Sequence, residues 1–179
     1  MPVGMDNIEH VVVLMMENRS LDNLLGWLYA DTNNKPRYNI PPQPQPQYEG
    51  LVRGKYCNKG PALHPGVVCA GEPTTAWPPY NNQMLVPDPD PGELFDQMTR
   101  QIFGTATPTS NATANMSGFL LDYSDQAGPV IAPQIMQSYS SQQAGVISQL
   151  ARWFAVSDHW YASAPCQTWP NRGFVHTGS

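Results

Sequence analysis

Residues 8–16 read Ile-Glu-His-Val-Val-Val-Leu-Met-Met, a nearly unbroken apolar and β-branched run that stops at the polar residues Glu17-Asn18-Arg19-Ser20. Such a run, without the alternation of a half-wet strand, predicts a strand covered on both faces, as in a parallel sheet. The period then changes. Leu21, Leu24, Leu25 and Leu28 recur at i, i+3, i+4 and i+7, which predicts a short amphipathic helix over residues 20–29 with Ser20 or Asn18 as its cap. A second helix is signed over residues 90–104. Asp90 is read as its N-cap, Pro91 as the first helical residue and Glu93 as the N3 partner of a capping box. Leu94, Phe95, Met98 and Ile102 would form its apolar stripe, and Gly104 its stop. Residues 140–154 predict another helix, with Val146, Ile147, Leu150, Trp153 and Phe154 facing the core. Residues 154–161 then read as a short buried strand, and residues 162–167 as a loop. From Thr168 a last helix is expected, with Pro170 in its first turn and no clear stop.

Between these periodic segments lies a different kind of sequence. Most of the 19 prolines fall between Pro36 and Pro91, and Pro-Pro-Gln-Pro-Gln-Pro-Gln favours an extended polyproline conformation. Residues 31–91 are therefore expected to be a long surface excursion with little regular structure, and residues 105–115 a linker. Strand–helix units separated by such excursions predict an α/β fold, a largely parallel sheet with flanking helices.

Composition narrows the picture. A chain of 179 residues that is 41% hydrophobic is read as a single domain, residues 1–179. Charge is sparse at 13%, and nine Lys and Arg against fourteen Asp and Glu leave a net −5, so a nucleic-acid partner is excluded. The first residues lack a basic leader, and the apolar run after them is too short for a signal sequence or a membrane span. On that reading the chain has no signal peptide and no transmembrane segment. Of three cysteines, Cys57 and Cys69 flank a Gly/Pro-rich loop and would pair in an oxidising compartment, leaving Cys166 over.

Two polar clusters sit where an α/β sheet gathers its ligands, beyond the carboxyl ends of strands. Glu17 and Asn18 offer an anionic and a neutral oxygen, a pairing suited to a divalent cation. Equally, Asn18 could cap the helix and Glu17 complement its dipole. Thr168 opens a helix whose free amides attract an anion such as phosphate, and Arg172, four residues on, shares its face. The plain alternative makes Thr168 a cap and Arg172 the partner of a surface carboxylate. Cys166 is a rival nucleophile, more simply read as an inert thiol. His10, His64, His159 and His176 stand at no metal-ligand spacing, and Asp158 could be structural or catalytic.

Several blocks carry a resemblance. The opening IEHVVVLMMENRSLDNLLGWL and the closing ISQLARWFAVSDHWYASAPCQTWPNRGFVHTGS resemble the phosphoesterase family that includes bacterial non-haemolytic phospholipases C and AcpA-type acid phosphatases. DPDPGELFDQMTRQIFG and MSGFLLDYS resemble two blocks between them. The resemblance implies an alkaline-phosphatase-like fold and metal-dependent hydrolysis of phosphate esters, phospholipid head-group esters among them, through a phosphothreonine. It further implies Glu17, Asn18 and Thr168 as ligands of a divalent cation, Thr168 as nucleophile, and Asn171 and Arg172 orienting the phosphoryl group or else holding the turn. In the related sulfatases the position of Thr168 becomes an aldehyde, which threonine cannot form, so phosphoryl transfer is implied instead. Family members usually carry His where this chain has Glu93, and are often secreted or periplasmic. Their catalytic domains are longer and take further metal ligands and histidines from the C-terminal half. The expectation is an incomplete domain, with a catalytically inactive fragment of binding or structural role as the alternative.

Overall fold

The computed structural model describes residues 7–16, 18–30, 35–40, 48–60, 67–71 and 87–178. Glu17, His64 and the polyproline run at 41–47 lie outside the described residues. Along the chain the elements are α1 (Leu21–Leu25), β1 (Asn39–Ile40), β2 (Cys57–Lys59), β3 (Val67–Cys69), α2 (Phe95–Phe103), α3 (Phe119–Ala127), a 3-10 helix (Ala132–Met136), α4 (Gly145–Trp153), β4 (Val156–Ser157) and α5 (Thr168–Thr177).

The strands form two small sheets. β1 and β4 pair in parallel, Asn39 with Val156 and Ile40 with Ser157, while β2 and β3 form an antiparallel pair in which Cys57 faces Cys69. Those two cysteines are disulfide-bonded, and Cys166 is free. Helices plus a small sheet with parallel strands agree with the α/β expectation at that coarse level.

Among the described residues, apolar burial is divided between two clusters. Leu25 at the end of α1 and Leu28 just after it pack with Ala151 of α4 and Val156 of β4. Val68 of β3, Leu120 and Tyr123 of α3 and Ala132 of the 3-10 helix make the second. Polar bonds tie the two together: Trp27 Nε1 donates to Ser138 Oγ at 2.7 Å and Asn23 Nδ2 to the Gln137 carbonyl at 3.1 Å.

Four sequence expectations are corrected. Residues 8–16 form no strand, and their side chains, the half-buried Met15 excepted, stand in solvent, Val12 at 91% and Leu14 at 83% exposure. A β-branched run becomes a strand only when a ladder partner satisfies its backbone, and none of its backbone groups bonds another backbone group among the described residues. Second, α2 begins at Phe95, not in the Asp90–Pro91 turn. Gln97 Oε1 accepts the Leu94 N–H at 3.0 Å, taking the role read for Glu93, and Gln101 Nε2 holds the Gly92 carbonyl at 2.8 Å outside the helix. Third, the expected apolar stripes of α2 and α4 face outward. Leu94, Phe95, Val146, Leu150, Trp153 and Phe154 are exposed and Met98 and Ile102 only half-buried, while Thr99 and Gln101 on α2 and Ser148 and Ala151 on α4 are buried. On α2 the reason is visible: Gln101 Nε2 also donates to Asp122 Oδ2 at 2.9 Å, so this helix meets α3 through hydrogen bonds. Fourth, α5 does have a stop, Gly178 in the left-handed region at φ 71°.

Candidate active site

Ser20, not Asn18, caps α1, its hydroxyl accepting the Asn23 N–H at 3.1 Å. This frees the Asn18 side chain. Asn18 itself is left-handed, φ 62°, a conformation that asparagine tolerates better than most residues with a Cβ. The turn carries its amide to the start of α5, where Thr168 Oγ1 donates to Asn18 Oδ1 at 3.4 Å across 150 positions of sequence. Nearby, Arg172 Nη2 donates to the Met15 carbonyl at 3.4 Å, which ties α5 to the end of the exposed N-terminal run.

Asn171 shapes the approach to Thr168. Its Nδ2 reaches the carbonyls of Ala164 and Cys166 at 3.0 Å and of Gln167 at 3.2 Å, and its Oδ1 accepts the Ala164 N–H at 3.0 Å. Both ends of one amide are thus engaged by the loop that delivers Thr168. Cys166, a partly exposed thiol, lies in that loop with its sulfur 3.9 Å from the same Nδ2.

Thr168 and Arg172 border two cavities. One, of about 600 Å³, is lined by Asn18, Arg19, Trp160, Tyr161 and Phe174 among others; the second, of about 510 Å³, adds Glu93, Gln167 and Trp169. Arg19 and Tyr161 were not singled out as site residues from sequence, whereas Glu93 entered as the residue standing where the family usually carries His. Arg19 is charged and follows Asn18 directly, which was a usable signal. Tyr161 is positioned from behind, its hydroxyl donating to Glu49 Oε2 at 3.1 Å, and that bond to a carboxylate holds the phenol above its ordinary pKa. Asp158 is buried and structural in its contacts, accepting Glu49 N–H at 2.7 Å and Asn39 Nδ2 at 3.2 and 3.3 Å. His159 Nε2 lies 3.7 Å from Glu49 Oε1 and 3.9 Å from Asp158 Oδ1.

No group of three or more His, Cys, Asp or Glu able to hold a metal is assembled among the described residues. What converges instead is an amide oxygen and a hydroxyl oxygen, hard donors whose chemistry fits a divalent cation taking oxygen ligands. Glu17, the anionic member of the expected set, lies outside the described residues.

The chain is 30% identical over 172 residues to non-specific phospholipase C1 of Arabidopsis thaliana and likewise 30% identical over 172 residues to non-specific phospholipase C6 of the same plant. Each alignment covers 96% of this chain and 28% of the relative. With non-specific phospholipase C3 of that plant the identity is 28% over 176 residues, covering 96% of this chain and 29% of the relative. The chain therefore spans less than a third of the length of these relatives. Residues 8–179 match the Phosphoesterase family as a whole, and the chain belongs to that family.

Proposed function

We propose that this chain carries the nucleophile region of a metal-dependent phosphoesterase of the phospholipase C or acid phosphatase type, built on an alkaline-phosphatase-like fold. Phosphate esters, including phospholipid head-group esters, are its substrates. The observation that carries the reading is the Thr168–Asn18 contact: two residues 150 positions apart meet, at 3.4 Å, beside an arginine and two cavities. Thr168 Oγ attacks phosphorus in line, forming a phosphothreonine as the bond to the departing alcohol breaks, and water then cleaves that ester. A divalent cation on Glu17, Asn18 and Thr168 would supply charge neutralisation and a more acidic hydroxyl. Arg172 grips phosphoryl oxygens. Of the two roles open to Asn171, its four loop hydrogen bonds support holding the turn, so that it positions Thr168.

The test is turnover of p-nitrophenyl phosphate and of phosphatidylcholine by the wild-type chain, Thr168→Ser and Thr168→Ala, with mass spectrometry of acid-quenched protein for phosphothreonine. Loss of at least about a hundredfold in Thr168→Ala, a range typical for removing a nucleophile or its activation, is expected, with partial retention in Thr168→Ser. Equal rates for wild type and Thr168→Ala would refute the role. Absence of any Thr168-dependent turnover would instead favour the inactive fragment.

A further inference from the structure

Three tripeptides of the chain have the form Asn-x-Ser/Thr with no proline in the middle, the form to which a secretory transferase attaches an N-linked glycan. One, Asn18-Arg19-Ser20, is taken up by other tasks: Asn18 meets Thr168 and Ser20 caps α1. The other two, Asn111-Ala112-Thr113 and Asn115-Met116-Ser117, share one loop and have no part in the phosphoester chemistry. So short a pattern recurs by chance, and its surroundings decide. A glycan is bulky and hydrated, so its acceptor has to stand in solvent once the chain is folded.

The loop leaves and rejoins the molecule at one place. α2 stops at Gly104, and the N–H groups of Asn115 and Met116 both donate to the Ile102 carbonyl, at 3.1 and 2.8 Å, so residues 103–114 protrude from feet set on the last turn of α2. At the tip the Ala112 N–H donates to the Thr109 carbonyl at 3.0 Å, and Asn111 lies in that turn, with residues 109–116 all exposed. Among the described residues no hydrogen bond engages the Asn111 amide, whereas at the foot Asn115 Oδ1 accepts the Ser117 N–H at 3.1 Å. Ser117 is also half-buried, its Oγ 2.6 Å from where a Cβ on Gly104 would stand. The tip tripeptide thus offers both its amide and its hydroxyl residue to solvent; the foot tripeptide does not. Glu93, which lines the 510 Å³ cavity, precedes the opposite end of α2, nine residues or about 14 Å of helix away, so a sugar chain on the loop starts at the end remote from that cavity. The Cys57–Cys69 disulfide is an independent observation, since such bonds persist in the oxidising compartments that secreted chains traverse.

We infer that Asn111 is the acceptor of an N-linked glycan on this chain, in preference to Asn115 and Asn18. In the transfer Asn111 Nδ2 forms a bond to the anomeric carbon of an oligosaccharide carried on a polyprenyl diphosphate. The bond from that carbon to the diphosphate oxygen breaks, the lipid diphosphate departs, and Nδ2 gives up one proton.

The experiment is expression of the whole chain behind a cleavable leader in a eukaryotic secretory host, as wild type, Asn115→Gln, Thr113→Ala and Thr113→Ser. Digestion with peptide N-glycosidase in heavy-oxygen water turns each glycosylated asparagine into a labelled aspartate, and peptide mass spectrometry reads the occupancy of each site. Wild type and Asn115→Gln should carry the label at Asn111 in most molecules. Thr113→Ala should lose it although Asn111 is intact, and Thr113→Ser should keep part of it. Protein retained inside the cell is digested and read in the same way, so a variant that folds poorly still reports. Wild type unlabelled at Asn111, a label there that survives Thr113→Ala, or occupancy of Asn115 or Asn18 equal to or above that of Asn111 would each overturn the inference.

Discussion

Asn171 is the residue on which the geometry of Thr168 depends most directly, since one side chain holds three carbonyls and an amide of the preceding loop. Asn171→Ala is expected to cost on the order of 1 kcal/mol, from part-buried groups left without partners, and to lower any Thr168-dependent rate further than the drop in stability explains. Denaturant unfolding set beside kinetics at matched temperature checks both. Asp22 offers a test of a different kind. Burial first, and the nearby Glu49 carboxylate second, raise its pKa above the ordinary 3.8. In the window above that value the folded state binds more protons than the unfolded one, so this group's contribution to stability falls as pH rises through it. Asp22→Asn should therefore melt higher than wild type at neutral pH, and the gap should close as pH falls towards 3.8, read as Tm against pH. Thr168, Asn18 and Arg172 were legible as candidates because their residue types suit the chemistry. The freedom of Glu93 was not, because the sequence Asp-Pro-Gly-Glu satisfies a capping box as well as it satisfies a loop.

At the scale of elements, periodicity located helices better than it oriented them. The segments at α1, α2, α4 and α5 were each expected as helices, yet the exposed apolar residues of α2 and α4 turn outward, on α2 because a hydrogen bond to Asp122 joins it to α3. α3 was not read as a helix at all, although it supplies Leu120 and Tyr123 to the second cluster. Its flanking glycines were the available signal. Gly118 lies so close to α2 that an added Cβ would fall on the Arg100 carbonyl, a backbone atom that cannot swing aside. Gly118→Ala should thus cost about 1–3 kcal/mol through forced displacement of α3 from α2, measured by chemical denaturation. Tyr123 ties α3 to the segment before α2 and to the 3-10 helix, its hydroxyl donating to the Pro89 carbonyl at 2.7 Å and accepting from Gln134 Nε2 at 2.5 Å.

Among the described residues, apolar burial rests on two small clusters rather than one large core. The Cys57–Cys69 bridge then matters more than it would in a larger core. A closed loop of this size is worth about 3 kcal/mol in the chain-entropy account, so reduction with a mild thiol should lower Tm by several degrees, read by calorimetry with and without reductant. What the sequence concealed at this scale was the fate of residues 8–16: composition says that a segment is apolar, but not whether a partner strand exists to cover it. Amide exchange offers a view of that segment which burial alone does not. Here hydrophobicity and protection from deuterium part company, so the greasiest stretch of the chain should label within the first seconds, Met15 included, because Arg172 of α5 engages its carbonyl and not its amide.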